Sequence, residues 1–210
     1  MPNKTGAFYV KIMTGENGTV VTAQAVNETE LVTSAQNGDR NAFSELVRVH
    51  AQGVMNVTYR MCGDTQISED AAQEAFIRAW QNLSSYRPQT SLRNWLYRIA
   101  VNAATDMLRK EKRIVLDDIE DMHLTDGRLG PESLASQNER TALVQMAIRS
   151  LPDASRAVLV LREYEELSYQ EISSTLDIPV GTVMSRLNYA RKLLKNKLEP
   201  QLSLLEAEYV

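Results

Sequence analysis

The sequence predicts an all-α chain of two small helical domains joined by an acidic linker. Three observations predict it. Apolar residues recur at spacings of three and four along most of the chain, and no strand pattern of any length appears. Gly38-Asp39, Gly63-Asp64 and Gly130-Pro131 punctuate that pattern as helix stops. Charge is segregated: six cations against two acids over 93–113, seven acids against one cation over 114–139, and five cations with no acid over 179–198.

Composition sets the outer bounds. A length of 210 residues has room for one large domain or two small ones. With 43% hydrophobic and 24% charged residues, wholesale disorder is excluded. No apolar run approaches the ~20 residues of a membrane span, and the polar start carries no signal-peptide core. A cytoplasmic protein with no membrane contact of its own is expected. A single cysteine, Cys62, excludes an internal disulfide, and His50 and His123 with one cysteine do not make a zinc site without carboxylate help. No metal and no cofactor is expected. The net charge of −4 argues against a polycation that coats nucleic acid. The segregated charge instead suggests two separate anion-facing surfaces, with solvated helix faces as the plainer alternative.

The elements follow in order. Residues 1–26 lack a sustained period and read as a disordered tail, with a short strand near 18–23 as the alternative. Asn27–Asn37 is a short helix. The next starts near Asn41, where Phe43, Leu46, Val47, His50, Val54, Val57 and Met61 form one apolar stripe; His50 then reads as a packed core histidine. Ser68 is expected to cap the third helix, whose stripe is Ala72, Ala75, Phe76, Ala79, Trp80 and Leu83. A loop from Ser84 to Thr90 contains Pro88, and Ser91 caps a long helix with Leu92, Trp95, Leu96, Ile99, Ala103 and Met107 inside. The first domain is 27–113 and the linker 114–131. Helices resume over 132–151, 152–167, 168–176 and 180–198, giving a second domain over 132–198 and a C-terminal tail over 199–210.

The run from Leu167 to Leu187 is the most specific local pattern. Ser168 with Glu171 makes a capping box at the start of a helix about two turns long. A tight turn follows, and Pro179 opens the next helix, where its missing N–H costs nothing. Val183, Leu187 and Leu194 face inward, leaving a basic polar face. This is a helix-turn-helix, whose second helix would enter a DNA major groove. The alternative is a helical hairpin with a solubilising face, which would ordinarily mix charge signs.

This C-terminal run resembles region 4 of bacterial sigma factors of the extracytoplasmic-function group. Glu69-Asp70-Ala71-Ala72-Gln73-Glu74-Ala75-Phe76-Ile77-Arg78-Ala79-Trp80 looks like that family's region 2 helix. Leu92-Arg93-Asn94-Trp95-Leu96-Tyr97-Arg98-Ile99-Ala100-Val101-Asn102-Ala103-Ala104-Thr105-Asp106 resembles its segment that reads the promoter −10 element. The matches occur in the family's order and cover about 27–198.

The resemblance implies a factor that binds core RNA polymerase, directs it to promoters and initiates transcription. Asp70, Gln73, Glu74 and Ile77 would dock on the β′ clamp helices, with the β subunit as a further contact. Tyr86, Arg87, Arg93, Asn94, Tyr97, Arg98, Asn102, Asp106, Arg109 and Lys110 would serve the −10 element and its non-template single strand. Thr182, Ser185, Arg186, Asn188, Tyr189, Arg191 and Lys192 would read the −35 duplex. Met184 departs from the Arg or Lys of many relatives, as do Asn188 and Tyr189 from Arg or His, which shifts the expected weight toward DNA shape and backbone contacts. The resemblance also admits an anti-sigma factor as a partner.

Enzymes are the class the residues argue against. There is no Gly-rich phosphate loop, no Ser/His/Asp set and no metal-ligand cluster in the sequence. Cys62 reads as an inert thiol. The rival function is a stand-alone helix-turn-helix regulator, which leaves 69–113 unexplained. An inhibitor that mimics a sigma domain is disfavoured by the cationic 93–113 segment, since a decoy needs no DNA surface.

Overall fold

In a computed structural model of the chain, residues 27–121 and 136–208 are described. The expected N-terminal tail, the linker from 122 on and the first residues of the fifth helix lie outside them. The described residues form eight α-helices and no strand: α1 (Glu28–Gln36), α2 (Arg40–Cys62), α3 (Thr65–Asn82), α4 (Leu92–Asp121), α5 (Ser136–Arg149), α6 (Asp153–Glu163), α7 (Tyr169–Leu176) and α8 (Val180–Glu208). A single 3-10 turn, Leu83–Ser85, follows α3.

The chain divides into two units, one ending at His50 and one beginning at Ala51, with α2 continuous through the boundary. In the first, Asn27 caps α1 by accepting from the Thr29 N–H. Asp39 caps α2, accepting from the N–H of Asn41 at 2.8 Å and of Ala42 at 3.3 Å. His50 is buried as expected, and its Nε2 lies 2.7 Å from Glu28 Oε1.

The second unit carries the rest of the first predicted domain and all of the second. Gly63, at φ +73°, ends α2 in a conformation that favours glycine. The third helix starts earlier than expected. Asp64, not Ser68, is its N-cap, accepting from the Ile67 N–H at 2.9 Å. Ser68 is fully buried one turn in, and its hydroxyl donates back to the Asp64 carbonyl. An aspartate just after a helix-ending glycine wins because its carboxylate reaches the orphan N–H groups first. Ala71, Ala72, Ala75 and Ala79 are buried along α3, as are Ala100, Ala103 and Ala104 along α4, and these small side chains let the two helices pack closely. Helix α4 runs through Asp121, eight residues into the expected linker. The acidic composition there says nothing against a helix, and no Gly or Pro interrupts 114–121.

In the C-terminal half, α6 is buried from Ser155 to Leu161 and packs on α8. It ends at Glu163, short of the expected Leu167, because Glu166 turns left-handed at φ 57°. The helix-turn-helix is α7 and α8. Ser168 and Glu171 form the expected capping box, and Asp177 ends α7 at φ 55°. Burial of Ile172, Val183 and Leu187, each worth about 1.5–3 kcal/mol, sets the angle between the two helices. Helix α8 continues through Pro200 to Glu208, beyond the expected end at 198.

Candidate nucleic-acid interface

Helix α3 presents Asp70 and Gln73 to solvent, and Ile77 is 46% exposed beside them. Glu74 is half-buried and accepts from Arg78 Nε at 2.7 Å. The same guanidinium donates from Nη1 to Asp106 Oδ2 at 2.8 Å, tying α3 to α4. These two carboxylates, Asp106 foremost, raise the Arg78 pKa above its ordinary value. Asp106 is thus paired with a neighbour on α3, while its carboxylate stays half-exposed.

The loop before α4 is built on its own polar groups. Tyr86 is buried, its hydroxyl donates to the Thr90 carbonyl at 2.8 Å, and its ring sits 5.2 Å from that of Trp95. Arg87 donates from Nη1 to the carbonyls of Ser84 and Tyr86, at 2.8 and 3.0 Å. Ser91 accepts from the Asn94 N–H at 3.2 Å, the expected cap.

Along α4 the predicted residues divide. Arg98, Asn102, Arg109 and Lys110 are exposed and recur at helical spacing down one side. Asn94 and Tyr97 are buried, at 7% and 3% exposure, so neither faces solvent in this arrangement. The Tyr97 hydroxyl donates to Glu165 Oε2 in the turn between α6 and α7. Arg93 donates from Nη2 to the Glu165 carbonyl and carboxylate, at 3.0 and 3.1 Å, and from Nε to the Tyr97 hydroxyl at 3.0 Å. Burial and the Glu165 hydrogen bond push Tyr97 up to about 12. Arg98 Nη2 lies 3.7 Å from Asp177 Oδ2 at the end of α7.

On α8, Ser185, Asn188, Tyr189 and Lys192 are exposed, while Thr182 and Arg186 are half-exposed. The Ser185 hydroxyl donates to the Thr182 carbonyl at 3.0 Å. Tyr189 and Met184, at 51% and 48% exposure, give this face an apolar component suited to thymine methyl groups. Arg191 is held by Glu163, which accepts from Nη2 at 2.6 Å and Nε at 3.2 Å; this pairing raises the Arg191 pKa.

Sequence reasoning missed three residues. Glu165 left no signal, since one glutamate among Glu163, Glu165 and Glu166 at a helix end is usually solvated. Arg156, 3% exposed, donates to four carbonyls yet looked like any basic residue in a helix. Gly53 did leave a signal, an isolated glycine inside a helical pattern. A Cβ there would meet the Tyr97 hydroxyl at 2.5 Å, so the glycine makes room for Tyr97.

Two family models match the chain, Sigma-70 region 2 over residues 46–114 and Sigma-70 region 4 over residues 141–194. The ECF RNA polymerase sigma factor SigW of Bacillus subtilis is 37% identical over 177 residues, covering 80% of this chain and 94% of the relative. The ECF RNA polymerase sigma-E factor of Escherichia coli is 36% identical over 187 residues, covering 85% and 97%. Among solved structures, CnrH in complex with the cytosolic domain of CnrY superposes with a TM-score of 0.62 at 24% identity, covering 82% of this chain and 97% of that one. RpoE from Bartonella quintana, solved with the anti-sigma factor NepR, gives a TM-score of 0.60 at 21% identity over 75% and 96%. These two support the fold. The family models in their order, with relatives matched over nearly their whole length, place the chain in the sigma-70 family, among the ECF sigma factors that direct transcription initiation.

Proposed function

We propose that the chain binds core RNA polymerase through the α3 face of Asp70, Gln73, Glu74 and Ile77, and reads promoters with two surfaces. Helix α4 serves the −10 element and its non-template strand. The recognition helix α8 serves the −35 duplex. The functional domains are 27–113 and 132–198. The chain supplies recognition and strand capture in the cytoplasm, and the chemistry of RNA synthesis stays with the polymerase. CnrH and the Bartonella quintana RpoE were solved with protein partners, and an anti-sigma factor is proposed as a partner of this chain too.

The observation that carries the reading is the row Arg98, Asn102, Arg109 and Lys110, solvent-facing down one side of α4. The asparagine can pair with a base edge, and the cations on either side suit phosphates. Promoter-dependent transcription with sigma-free core polymerase tests it. Asn102→Ala should cost about 1–3 kcal/mol of −10 discrimination while co-elution with core polymerase is kept. Equal loss of both would indicate misfolding, and unchanged discrimination would remove Asn102 from the −10 surface.

A further inference from the structure

The first turns of α8 carry an outward surface without charge. Val183, Leu187 and Ala190 are fully buried and mark the inner side of the helix. On the opposite side Gly181, Met184, Ser185, Asn188 and Tyr189 are exposed. Helical spacing sets their side chains in two neighbouring rows, Met184 with Asn188 and Ser185 with Tyr189. Arg186 is half-exposed and lies round the helix toward buried Ala190. The cations of the outward side begin with Arg191, which Glu163 holds, and continue with Lys192 and Lys195. Region 4 therefore meets a duplex with an apolar, amide-bearing tip and a cationic stem.

That division assigns contacts. Guanine is the base that Arg and Lys read, through O6 and N7, and the tip offers neither side chain. With its proton given to the Thr182 carbonyl at 3.0 Å, Ser185 has no donor for guanine, whose major-groove edge only accepts. Asn188 can pair with adenine through N6 and N7. What Met184 and Tyr189 can match in a major groove is the C5-methyl group of thymine. Burying them there is favourable in proportion to the apolar area removed from water. Gly181 fits a close approach. A Cβ there would meet nothing within 4 Å, so packing inside the chain does not require a glycine, and its bare backbone lets a base edge come near.

We infer that α8 reads C5-methyl groups in the −35 duplex, with Met184 and Tyr189 against the methyls and Asn188 on an adenine, and that it accepts a 5-methylcytosine where a thymine stands. The two pyrimidines put the same methyl at the same place in the major groove, so a surface that feels the methyl responds to cytosine methylation. This rests on the reading of α8 as the −35 helix. Lys192 and Lys195 are left for phosphates, whose contacts carry no sequence information.

The test uses the full chain assembled with core polymerase. A pool of random-sequence DNA duplexes is enriched by repeated binding and sequenced. In the enriched −35 duplex each thymine is replaced in turn by deoxyuridine, which lacks the methyl, or by cytosine with and without a C5-methyl. Each guanine is replaced by 7-deazaguanine, which lacks the N7 acceptor. Binding is read by anisotropy. Deoxyuridine should cost about fourfold at the thymines under Met184 and Tyr189, the worth of one buried methyl, and methylation of a cytosine at the same positions should gain about as much. 7-Deazaguanine should cost nothing. Met184→Ala and Tyr189→Ala, both at exposed positions and checked for a wild-type melting transition, should each bring the thymine-to-deoxyuridine ratio to about one at its own position. Lys192→Ala should weaken all duplexes alike and keep the ratio. A ratio near one throughout in wild type would overturn the inference and leave DNA shape and backbone contacts as the −35 reader. A loss on 7-deazaguanine that Arg186→Ala abolishes would overturn it in favour of guanine readout. No enriched −35 element, or one unchanged when Met184, Asn188 and Tyr189 are all replaced by alanine, would overturn the reading of α8 as the −35 helix, and the inference with it.

Discussion

The Arg156 guanidinium donates from Nη1 to the Met61 carbonyl, 2.7 Å away, at the C-terminal end of α2. Its other nitrogens donate to the carbonyls of Ile148, Arg149 and Leu151, at 3.2, 2.5 and 2.7 Å, and Asp153 lies 3.3 Å away. One buried cation thus joins α2 to the turn between α5 and α6. Its planar fork satisfies helix-end carbonyls that would otherwise be orphaned. Burial lowers its pKa. Arg156→Ala should destabilise the chain by about 3 kcal/mol or more, through unsatisfied buried carbonyls. Arg156→Lys should recover only part, because an ammonium cannot serve the same four acceptors. Urea unfolding measures both.

Cys62 is fully buried at the end of α2, and burial pushes its thiol up to about 12. The thiolate is the reactive form, so a disulfide reagent at pH 8 should fail to modify native protein on the timescale that labels unfolded chain completely. Rapid native labelling would show that the end of α2 opens locally.

Alkaline pH should destabilise the fold. Cys62 and Tyr97 both titrate higher folded than unfolded, from ordinary values of 9.0 and 10.0 to about 12. Between those limits the unfolded chain has released protons that the folded chain still holds. Their contribution is fully present below pH 9 and is lost as pH rises toward 12. Tyr97→Phe should flatten the upper part of that loss in a denaturation series. At the acid end, the Ser168 hydrogen bonds of the capping box hold the Glu171 carboxyl below its usual range. Its contribution is present above the unfolded value of 4.5 and is lost as pH falls through the folded one.

The two neighbouring cations of the recognition helix should behave differently. Lys192 is exposed, whereas Arg191 is paired with Glu163. Lys192→Ala should weaken −35 duplex binding across sequences and reduce the salt slope by about one. Arg191→Ala should change the slope less unless Glu163 is removed as well. Equal slopes for the two variants would show that the Arg191–Glu163 pair breaks on DNA.

Ser168→Ala should cost about 1 kcal/mol, because the capping box closes a helix of eight residues with few hydrogen bonds of its own. Thermal unfolding reads the loss. A neutral result would mean that packing of Ile172 alone holds α7 in place.

Much of this was legible in the residues. The apolar stripes located α2, α3 and α4, because a helix that must bury one face writes a period of 3.6 into its sequence. Ser168 with Glu171, then Pro179, located the helix-turn-helix, since capping is chemistry between neighbours. The error at the start of α3 was a choice between two good caps, Asp64 and Ser68, decided by which reached the orphan N–H groups first. The early end of α6 was not legible, because a left-handed Glu166 has no side-chain signature.

Local chemistry therefore determined the helical class, the order of the helices, the family and the cationic character of α4 and α8. Each depends on residues a few positions apart, where spacing alone says which side chains share a face. Only the tertiary structure decided which candidate residues are free. It buried Tyr86, Asn94 and Tyr97, spent Arg87 on its own loop, paired Asp106 with Arg78, and set Glu165 against Arg93 across 72 residues of sequence. Partners that far apart leave no periodic trace, because what joins them is the packing of helices whose relative positions no local spacing encodes.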